Sequence, residues 1–181
     1  MRVVGHTVNG DAVRDVTKAG AAMTEQTRAQ IAALGVDLDR LARTYPVAVW
    51  AACVKLIAAD VFAGLDEIEA QRKLGNLRID VAARGLKGRV LFALSRRLPP
   101  QRALEKYVAG LRAGASYIDT RFEILGAHHY RVWVNDVTDM PGFFMGMIEG
   151  GARHATRRGD PIRIESRDGA SCTYVIGPSN A

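Results

Sequence analysis

The apolar residues in the first two thirds of the chain recur every three or four positions, which is the period of an amphipathic helix. This pattern predicts helices over residues 11–19, 24–35, 37–43, 46–64, 65–85, 86–98 and 100–114. The clearest is the passage from Pro46 to Gly64, whose apolar stripe consists of Val47, Trp50, Val54, Ile57 and Val61. Because alanines surround that stripe, we expect this helix to be buried on more than one side.

Each of the next three helices carries one apolar stripe, and we expect each stripe to face the core. The predicted inward positions are Ile68, Leu74, Leu77 and Val81 in the first helix and Val90, Leu91, Leu94 and Leu98 in the second. In the third helix they are Leu104, Tyr107, Val108 and Leu111.

The period changes to two after Gly114, which predicts β-strands. Segments 116–125 and 129–137 alternate apolar and polar residues around a turn at 126–129. A second hairpin covers 161–176, with Asp168 and Gly169 as its two-residue turn. A further short strand is predicted at Val3 and Val4.

Several helices followed by a β-β-α-β-β series predict an α+β fold. In this fold an N-terminal helical bundle packs on a four-stranded antiparallel sheet. The 181 residues suit a single domain over 1–181, with a helical part of about 1–114 and a sheet part of about 115–177.

The helix between the two hairpins, predicted from Pro141 to about Arg157, is unusual because Gly142, Gly146 and Gly150 share one of its faces. Each interior glycine costs about 0.5–1 kcal/mol relative to alanine. Small residues let a helix approach a neighbour closely, and we expect that neighbour to be the sheet, the Trp50 helix or the same helix of a second subunit. The alternative is a ligand lying along this face.

The residues that would line such a pocket or close-packing face flank the glycines or lie on the Trp50 helix. They are Trp50, Cys53, Gly142, Phe143, Gly146, Met147, Glu149 and Gly150.

Composition adds one localised charge excess. The net charge is +6, and residues 84–112 hold eight basic residues against one acidic residue, a net +7. This excess indicates either an anionic partner or simply the solvated faces of two helices. The candidate anion contacts are Arg96, Arg97 and Arg102, and nucleic acid or a cyclic nucleotide is an alternative ligand for this region.

The remaining chemistry is sparse. Cys53 and Cys172 are far apart, which indicates neither a disulfide framework nor a zinc site and favours a cytoplasmic location. The sequence shows no signal peptide and no apolar run long enough to span a membrane. Adjacent strand residues point to opposite faces, so His128 and His129 do not make a metal pair. Trp133, on the polar side of its strand, is a candidate interface residue.

Two carboxylates, Asp136 and Glu149, flank the glycine helix, and a carboxylate beside an apolar pocket can be a raised-pKa acid. No base, nucleophile or metal set accompanies them. We therefore expect no enzyme, no metal and no cofactor.

Three passages, "YPVAVW", "FAGLDEIEAQRKLG" and "VNDVTDMPGFFMGMIEGG", resemble an uncharacterised family of about this length with many myxobacterial paralogues. The resemblance runs from about Gly5 to Ile176. That family is more distantly similar to a superfamily that includes the bacterial haem-nitric-oxide sensors, the 4-vinyl reductase domain and the small TRAPP subunits. The resemblance implies helices on a four-stranded sheet, frequent dimerisation and, in several branches, a hydrophobic pocket.

The same resemblance allows a test for haem. The haem sensors need a histidine on a helix before the sheet, and this chain has no histidine between His6 and His128. They also need a Tyr-x-Ser-x-Arg run on the strand before the glycine helix, where this chain reads "WVNDVT". "YIDTR" at Tyr117 has the spacing but lies one strand early, with Asp119 in place of serine. By analogy with a TRAPP subunit, Cys53 is a candidate for acylation.

Together these observations favour a non-catalytic cytoplasmic binding module that acts as a regulatory or scaffold protein, is a homodimer and has a possible protein partner. One alternative is a sensor or carrier of a hydrophobic or acyl small molecule, or a tetrapyrrole, in an internal pocket. The other is nucleic-acid or cyclic-nucleotide binding through residues 84–112.

Overall fold

The computed structural model describes residues 5–115 and 117–178. Seven helices are present in this part of the chain: α1 (Gly10–Ala19), α2 (Glu25–Ala33), α3 (Val47–Val61), α4 (Glu67–Arg84), α5 (Leu86–Ser95), α6 (Pro100–Gly110) and α7 (Pro141–Thr156). The strands are β1 (Thr7–Asn9), β2 (Thr44–Pro46), β3 (Thr120–Gly126), β4 (His129–Val134), β5 (Ile162–Asp168) and β6 (Ser171–Ile176). The strand predicted at Val3 and Val4 lies outside the described residues.

Side-chain caps set the starts of several helices. The Thr24 hydroxyl accepts a hydrogen bond from the Thr27 amide at 3.3 Å, as its N-cap position predicts. Asp66 caps α4 in the same way, through the Glu69 amide at 3.0 Å. The helix predicted over 37–43 is wrong, because the Asp37 carboxylate accepts from the amide of Asp39 at 2.9 Å and holds a turn there instead.

The predicted α+β fold is confirmed. β3, β4, β6 and β5 form an antiparallel sheet in that spatial order, and α7 lies between the two hairpins in sequence. The second hairpin turns one residue later than predicted, at Gly169 and Ala170, because Asp168 still pairs with Ser171. β1 and β2 form an additional antiparallel pair that the sequence pattern did not predict.

Helix α7 is central to the core. Of its 16 residues, 12 are buried, and it contacts α4, α5, α6 and β5. At its start, the Tyr174 hydroxyl of β6 donates a hydrogen bond to the Pro141 carbonyl at 2.9 Å. Helix α7 thus joins the sheet to the helical part, and α6 makes a second join through its contact with β3.

The predicted inward face of α5 is wrong, and that of α4 is right except at one position. In α4, Leu74 is buried and Leu77 and Val81 are partly buried, as predicted. Ile68 is exposed, because Ala70, Gln71 and Gly75 face the core in its place. Val90, Leu91 and Leu94 of α5 are exposed, and Leu98, beyond the end of the helix, is only partly buried. The single buried residue of α5 is Phe92, whose ring lies against Tyr107 and His154 with centroid distances of 6.2 and 5.0 Å. The opposite face of the helix therefore points outwards.

Candidate binding surface

The three-glycine face of α7 packs against α4 of the same chain. A methyl group at Gly142 would overlap the Ile68 carbonyl oxygen, and one at Gly146 would overlap the Arg72 carbonyl oxygen. A methyl group at Gly150 would lie 3.0 Å from the Ile79 Cβ atom. All three predicted neighbours (the sheet, the Trp50 helix and a second subunit) are therefore wrong. The face is filled by α4, so a ligand cannot lie along it.

The other predicted pocket residues fill the core. Trp50 lies edge-on to Phe143, with ring centroids 5.7 Å apart, and both are buried. Burial raises the pKa of the Cys53 thiol to about 11. Met147 is also buried, and its carbonyl accepts a hydrogen bond from the Tyr107 hydroxyl at 2.7 Å. These side chains pack against one another where an internal pocket was considered.

Two buried polar atoms of this region have no hydrogen-bond partner among the described residues. They are the indole Nε1 of Trp50 on α3 and the Oε1 of Gln71 on α4. Trp50 lies against Phe143, and Gln71 lies beside Gly142. Both atoms therefore belong to the contact between these helices and the first turn of α7.

Glu149 joins α7 to α4 through an ion pair. Both of its oxygens accept from the Arg72 guanidinium, at 2.8 and 2.9 Å, and one also accepts from the Asn76 amide at 3.0 Å. These bonds raise the pKa of Arg72 above its already high ordinary value. Arg153, one helical turn after Glu149, does not bond it and instead bonds Asp80 and Asn76, each at 2.7 Å. This carboxylate therefore has a structural partner.

An open groove lies between α4, α5 and α7. Its lining includes Asp80, Arg84, Arg89, Phe92, Arg96 and His154. The only carboxylate in this lining, that of Asp80, is already bonded to His154 Nε2 at 2.6 Å and to Arg153. The Arg96 Nε atom donates to the His154 carbonyl at 3.0 Å. The groove therefore presents mainly positive charge beside apolar side chains.

Beside this groove, α5 presents an apolar ridge to solvent. Its apolar members are Leu86, Val90, Leu91 and Leu94, with exposed fractions of 80%, 52%, 57% and 57%. We define the α5 surface as these four residues together with the flanking cations Arg84, Lys87, Arg89 and Arg97. Leu86, Val90 and Leu94 are four residues apart, so they follow one line along the helix.

The flanking cations are free for external contacts. None of the four has an ion-pair partner among the described residues, and all four are exposed. Of the predicted anion contacts, Arg97 belongs to this set. Arg102 pairs with Glu105 at 3.2 Å, and Arg96 is bonded to α7. The positive charge of residues 84–112 is therefore most available around the apolar ridge.

Trp133 lies on β4, on the less buried face of the sheet. It is half-buried, and the Arg121 guanidinium lies 4.6 Å above its ring. Beside it, Arg131 bonds Glu165 at 2.7 Å and Glu123 at 2.8 Å. Arg131 of this face is paired within the chain, and a role of Trp133 at an interface stays a prediction.

Residues 5–115 and 117–178 contain no group of three side chains suited to hold a metal ion. Within the same residues, no helix is both long and apolar enough to cross a membrane.

The whole arrangement is similar to that of H-NOX domains. An Fe(II) unliganded H-NOX mutant from K. algicida has a TM-score of 0.67 at 14% identity, covering 95% of this chain and 97% of that one. An oxygen-binding H-NOX domain related to soluble guanylate cyclases, in its oxygen complex, has a TM-score of 0.63 at 14% identity, with 95% of each chain covered. The fold is therefore H-NOX-like.

Residues 2–177 match the family described as protein of unknown function DUF2378, and the chain belongs to that family. No curated protein matches the chain.

Haem does not fit the residues that this chain offers. Helices α2 to α6 contain no histidine, and His6 is exposed with its ring stacked on Tyr117 at 5.1 Å. In the segment that would hold the propionates, the Asn135 side chain instead donates to the Tyr117 carbonyl and accepts from the Asp119 amide, at 2.9 and 2.7 Å. These bonds fix the chain before α7 rather than present a cation to a carboxylate.

The α5 surface is the feature that sequence reasoning missed. Its stripe was assigned to the core because an apolar stripe on a helix normally is buried. Two signals pointed the other way. Cations flank the stripe, with no acidic residue between Arg84 and Leu104, and Phe92 offers a second apolar face for the core.

Proposed function

We propose that this chain is a non-catalytic regulatory or scaffold module that binds its partner through the α5 surface. The observation that supports this proposal is the exposed ridge of four aliphatic residues, surrounded by four cations without ion-pair partners among the described residues. Exposed apolar clusters rimmed by charge are typical of interaction sites.

The haem-sensing role of proteins with this fold does not carry over under this proposal. No histidine of the described residues is buried, and the aromatic cluster of Trp50, Phe143 and Phe144 occupies the core. A fold hosts many functions, so the function must be argued from the site. In this chain the better-developed site is on the outside.

Haem binding can be tested directly by titrating haemin into the purified protein while its absorbance is followed. We expect no stoichiometric sharpening of the Soret band, and native mass spectrometry should give the bare chain mass of 19.6 kDa or a multiple of it. A saturable one-to-one haem complex with a defined axial ligand would overturn the haem-free proposal.

The choice of surface can be tested by photo-cross-linking inside cells. A photoreactive amino acid at Leu94, which is 57% exposed, should give a cross-linked adduct of defined mass, with either a protein or a lipid, in mass spectrometry. The same amino acid at Leu65, which is 41% exposed on another part of the molecule, is the matched control and should not. Equal products from both positions, or none from Leu94, would contradict a binding role of the α5 surface.

An internal ligand is a second candidate, favoured by the unpartnered atoms of Trp50 and Gln71. A buried donor and a buried acceptor without partners cost free energy unless a water or a small polar molecule satisfies them. The native mass spectrum of the unheated protein tests this candidate, because a retained small molecule adds its mass to the chain.

A further inference from the structure

We infer that the partner of the α5 surface is an anionic lipid bilayer, on which the helix lies with Leu86, Val90 and Leu94 inserted among the acyl chains. This inference rests on the proposed function, since it names the occupant of the same surface. It rests on three observations: the way α5 is attached, the chemistry of its ridge and the unused charge beside it.

Helix α5 is attached to the molecule by one side. Phe92 is its only buried residue, and the helix contacts α4, α7 and, through the Phe92 ring, Tyr107 of α6. The line of Leu86, Val90 and Leu94 runs along the side opposite to Phe92, about one helical turn between neighbours. A flat apolar phase can therefore reach all three side chains at once, without any rearrangement of the fold.

The ridge is chemically suited to hydrocarbon. Its four apolar members are Leu or Val, with no aromatic ring and no hydrogen-bonding group. Protein interfaces concentrate their binding energy in Trp, Tyr and Arg, and Leu and Val are under-represented among such residues. Aliphatic side chains flanked by Lys and Arg are instead typical of helices that lie in the membrane interface.

The unpaired positive charges of the α5 surface favour an anionic membrane over a neutral one. Arg84, Lys87, Arg89 and Arg97 can all reach a layer of anionic headgroups, because none is held by an acidic residue among those described. Long cationic side chains extend to headgroup level while their stems remain apolar. A second copy of the chain is a poor occupant, because it would bring the same positive charge to the contact.

Vesicle co-sedimentation of the full chain tests the inference. We expect binding to phosphatidylcholine vesicles that contain phosphatidylglycerol, little binding to phosphatidylcholine alone, and weaker binding as salt is raised. Val90→Ser with Leu94→Ser should abolish binding. Arg89→Gln with Arg97→Gln should weaken it by about five-fold for each charge removed.

Matched control variants distinguish binding through the α5 surface from non-specific binding of the protein to vesicles. Leu34→Ser with Leu65→Ser removes two apolar side chains that are exposed elsewhere, and Arg40→Gln with Arg43→Gln removes two exposed charges elsewhere. Both control variants should bind anionic vesicles like the unmodified chain. Thermal melts of all four variants should match, because every changed side chain is exposed.

The possible results distinguish failure of the lipid inference from failure of the proposed function. If vesicles do not bind, or if the controls lose as much binding as the α5 variants, the lipid inference is overturned. If the Leu94 cross-link then leads to an acidic protein, the proposed function stands with a protein as its partner. If Leu94 also gives no cross-link, the proposed function fails as well.

Discussion

At the scale of single residues, glycine decides how closely α4 and α7 pack. Gly142 and Gly146 each place α7 against a backbone carbonyl of α4, and Gly75 of α4 faces the Phe143 carbonyl of α7 in return. Backbone atoms cannot rotate away as a side chain does. Helix α7 contains several glycines, despite their cost in helix propensity, because larger residues would push α4 and α7 apart.

Substitution of one glycine tests this account. Gly146→Ala should lower the free energy of unfolding by about 1–3 kcal/mol, because the methyl group must displace the Arg72 carbonyl. Helix propensity alone predicts the opposite sign, a gain of about 0.5–1 kcal/mol. Urea denaturation measures the difference.

Gly110 provides the matched control for that experiment. Gly110 is the last residue of α6 and has a helical φ of −72°. A methyl group there would meet no atom within 4 Å. Gly110→Ala should therefore raise the free energy of unfolding or leave it unchanged. A stabilising effect at Gly146 as large as that at Gly110 would refute the close-packing account.

The two cysteines give a second residue-scale prediction. Cys53 and Cys172 are free and fully buried, and burial raises the pKa of both thiols. The thiolate is the reactive form, so both should be protonated and unreactive near neutral pH. A thiol reagent should label neither residue in the native protein and both in denaturant. Rapid labelling of Cys53 in the native protein would contradict this prediction and would support its acylation.

The sequence predicts some of these residue roles better than others. Small residues at Gly142, Gly146 and Gly150 indicated a close approach, but not which element approaches. The partner stripe on α4 contains Ala70, Gln71, Leu74 and Gly75, and its polar and small members do not stand out as an apolar face. The pairing of Glu149 with Arg72, 77 positions apart, has no local signal at all.

At the scale of elements, α5 has the fewest buried residues of the seven helices in the described part of the chain. It has one buried residue, whereas α7 has 12. Elements with few buried apolar contacts open locally at low free energy. A loosely attached helix is also able to adjust its orientation on a partner surface.

Hydrogen exchange should therefore show less protection over residues 86–95 than over α4 and α7. Phe92→Ala should increase exchange in α5 further and leave α4 and α7 little changed, because it removes the one buried anchor. Leu91→Ala, on the same helix but 57% exposed, is the control and should not alter exchange. If α5 exchanges as slowly as α7, the single-anchor account is wrong.

Element types were largely predictable from periodicity. The hairpins, the crossing helix α7 and most helix boundaries follow from changes of period and from capping residues such as Thr24 and Asp66. The errors have physical causes. Asp37 forms a turn where alternating charges and leucines suggested a helix. The apolar stripe of α5 resembles a buried face but points to solvent, because Phe92 on the other side of the helix is the buried residue.

At the scale of the whole molecule, an H-NOX-like fold is combined with residues that do not suit haem. The fold was predictable from the resemblance and the element order, whereas the location of the binding surface required the packing of α5. The relationship to 4-vinyl reductase and TRAPP domains, like the cytoplasmic location, stays a prediction.

Dimerisation also stays a prediction, and it now rests on the family resemblance alone. The glycine face cannot form the interface, because α4 covers it. Light scattering should give twice the chain mass of 19.6 kDa if the chain dimerises as its resemblance implies. A dimer that persists in the Val90→Ser and Leu94→Ser variant would use another face, and a monomer at tens of micromolar would remove the prediction.

The central claim is that this molecule works through the outward face of α5 and not through its interior. Hydrogen exchange measured by mass spectrometry, with and without anionic vesicles, tests that claim most directly because it reports every segment at once. The account predicts slower exchange confined to about residues 84–97 when vesicles are present. Slower exchange in α3 and α7 with no change in α5 would contradict it.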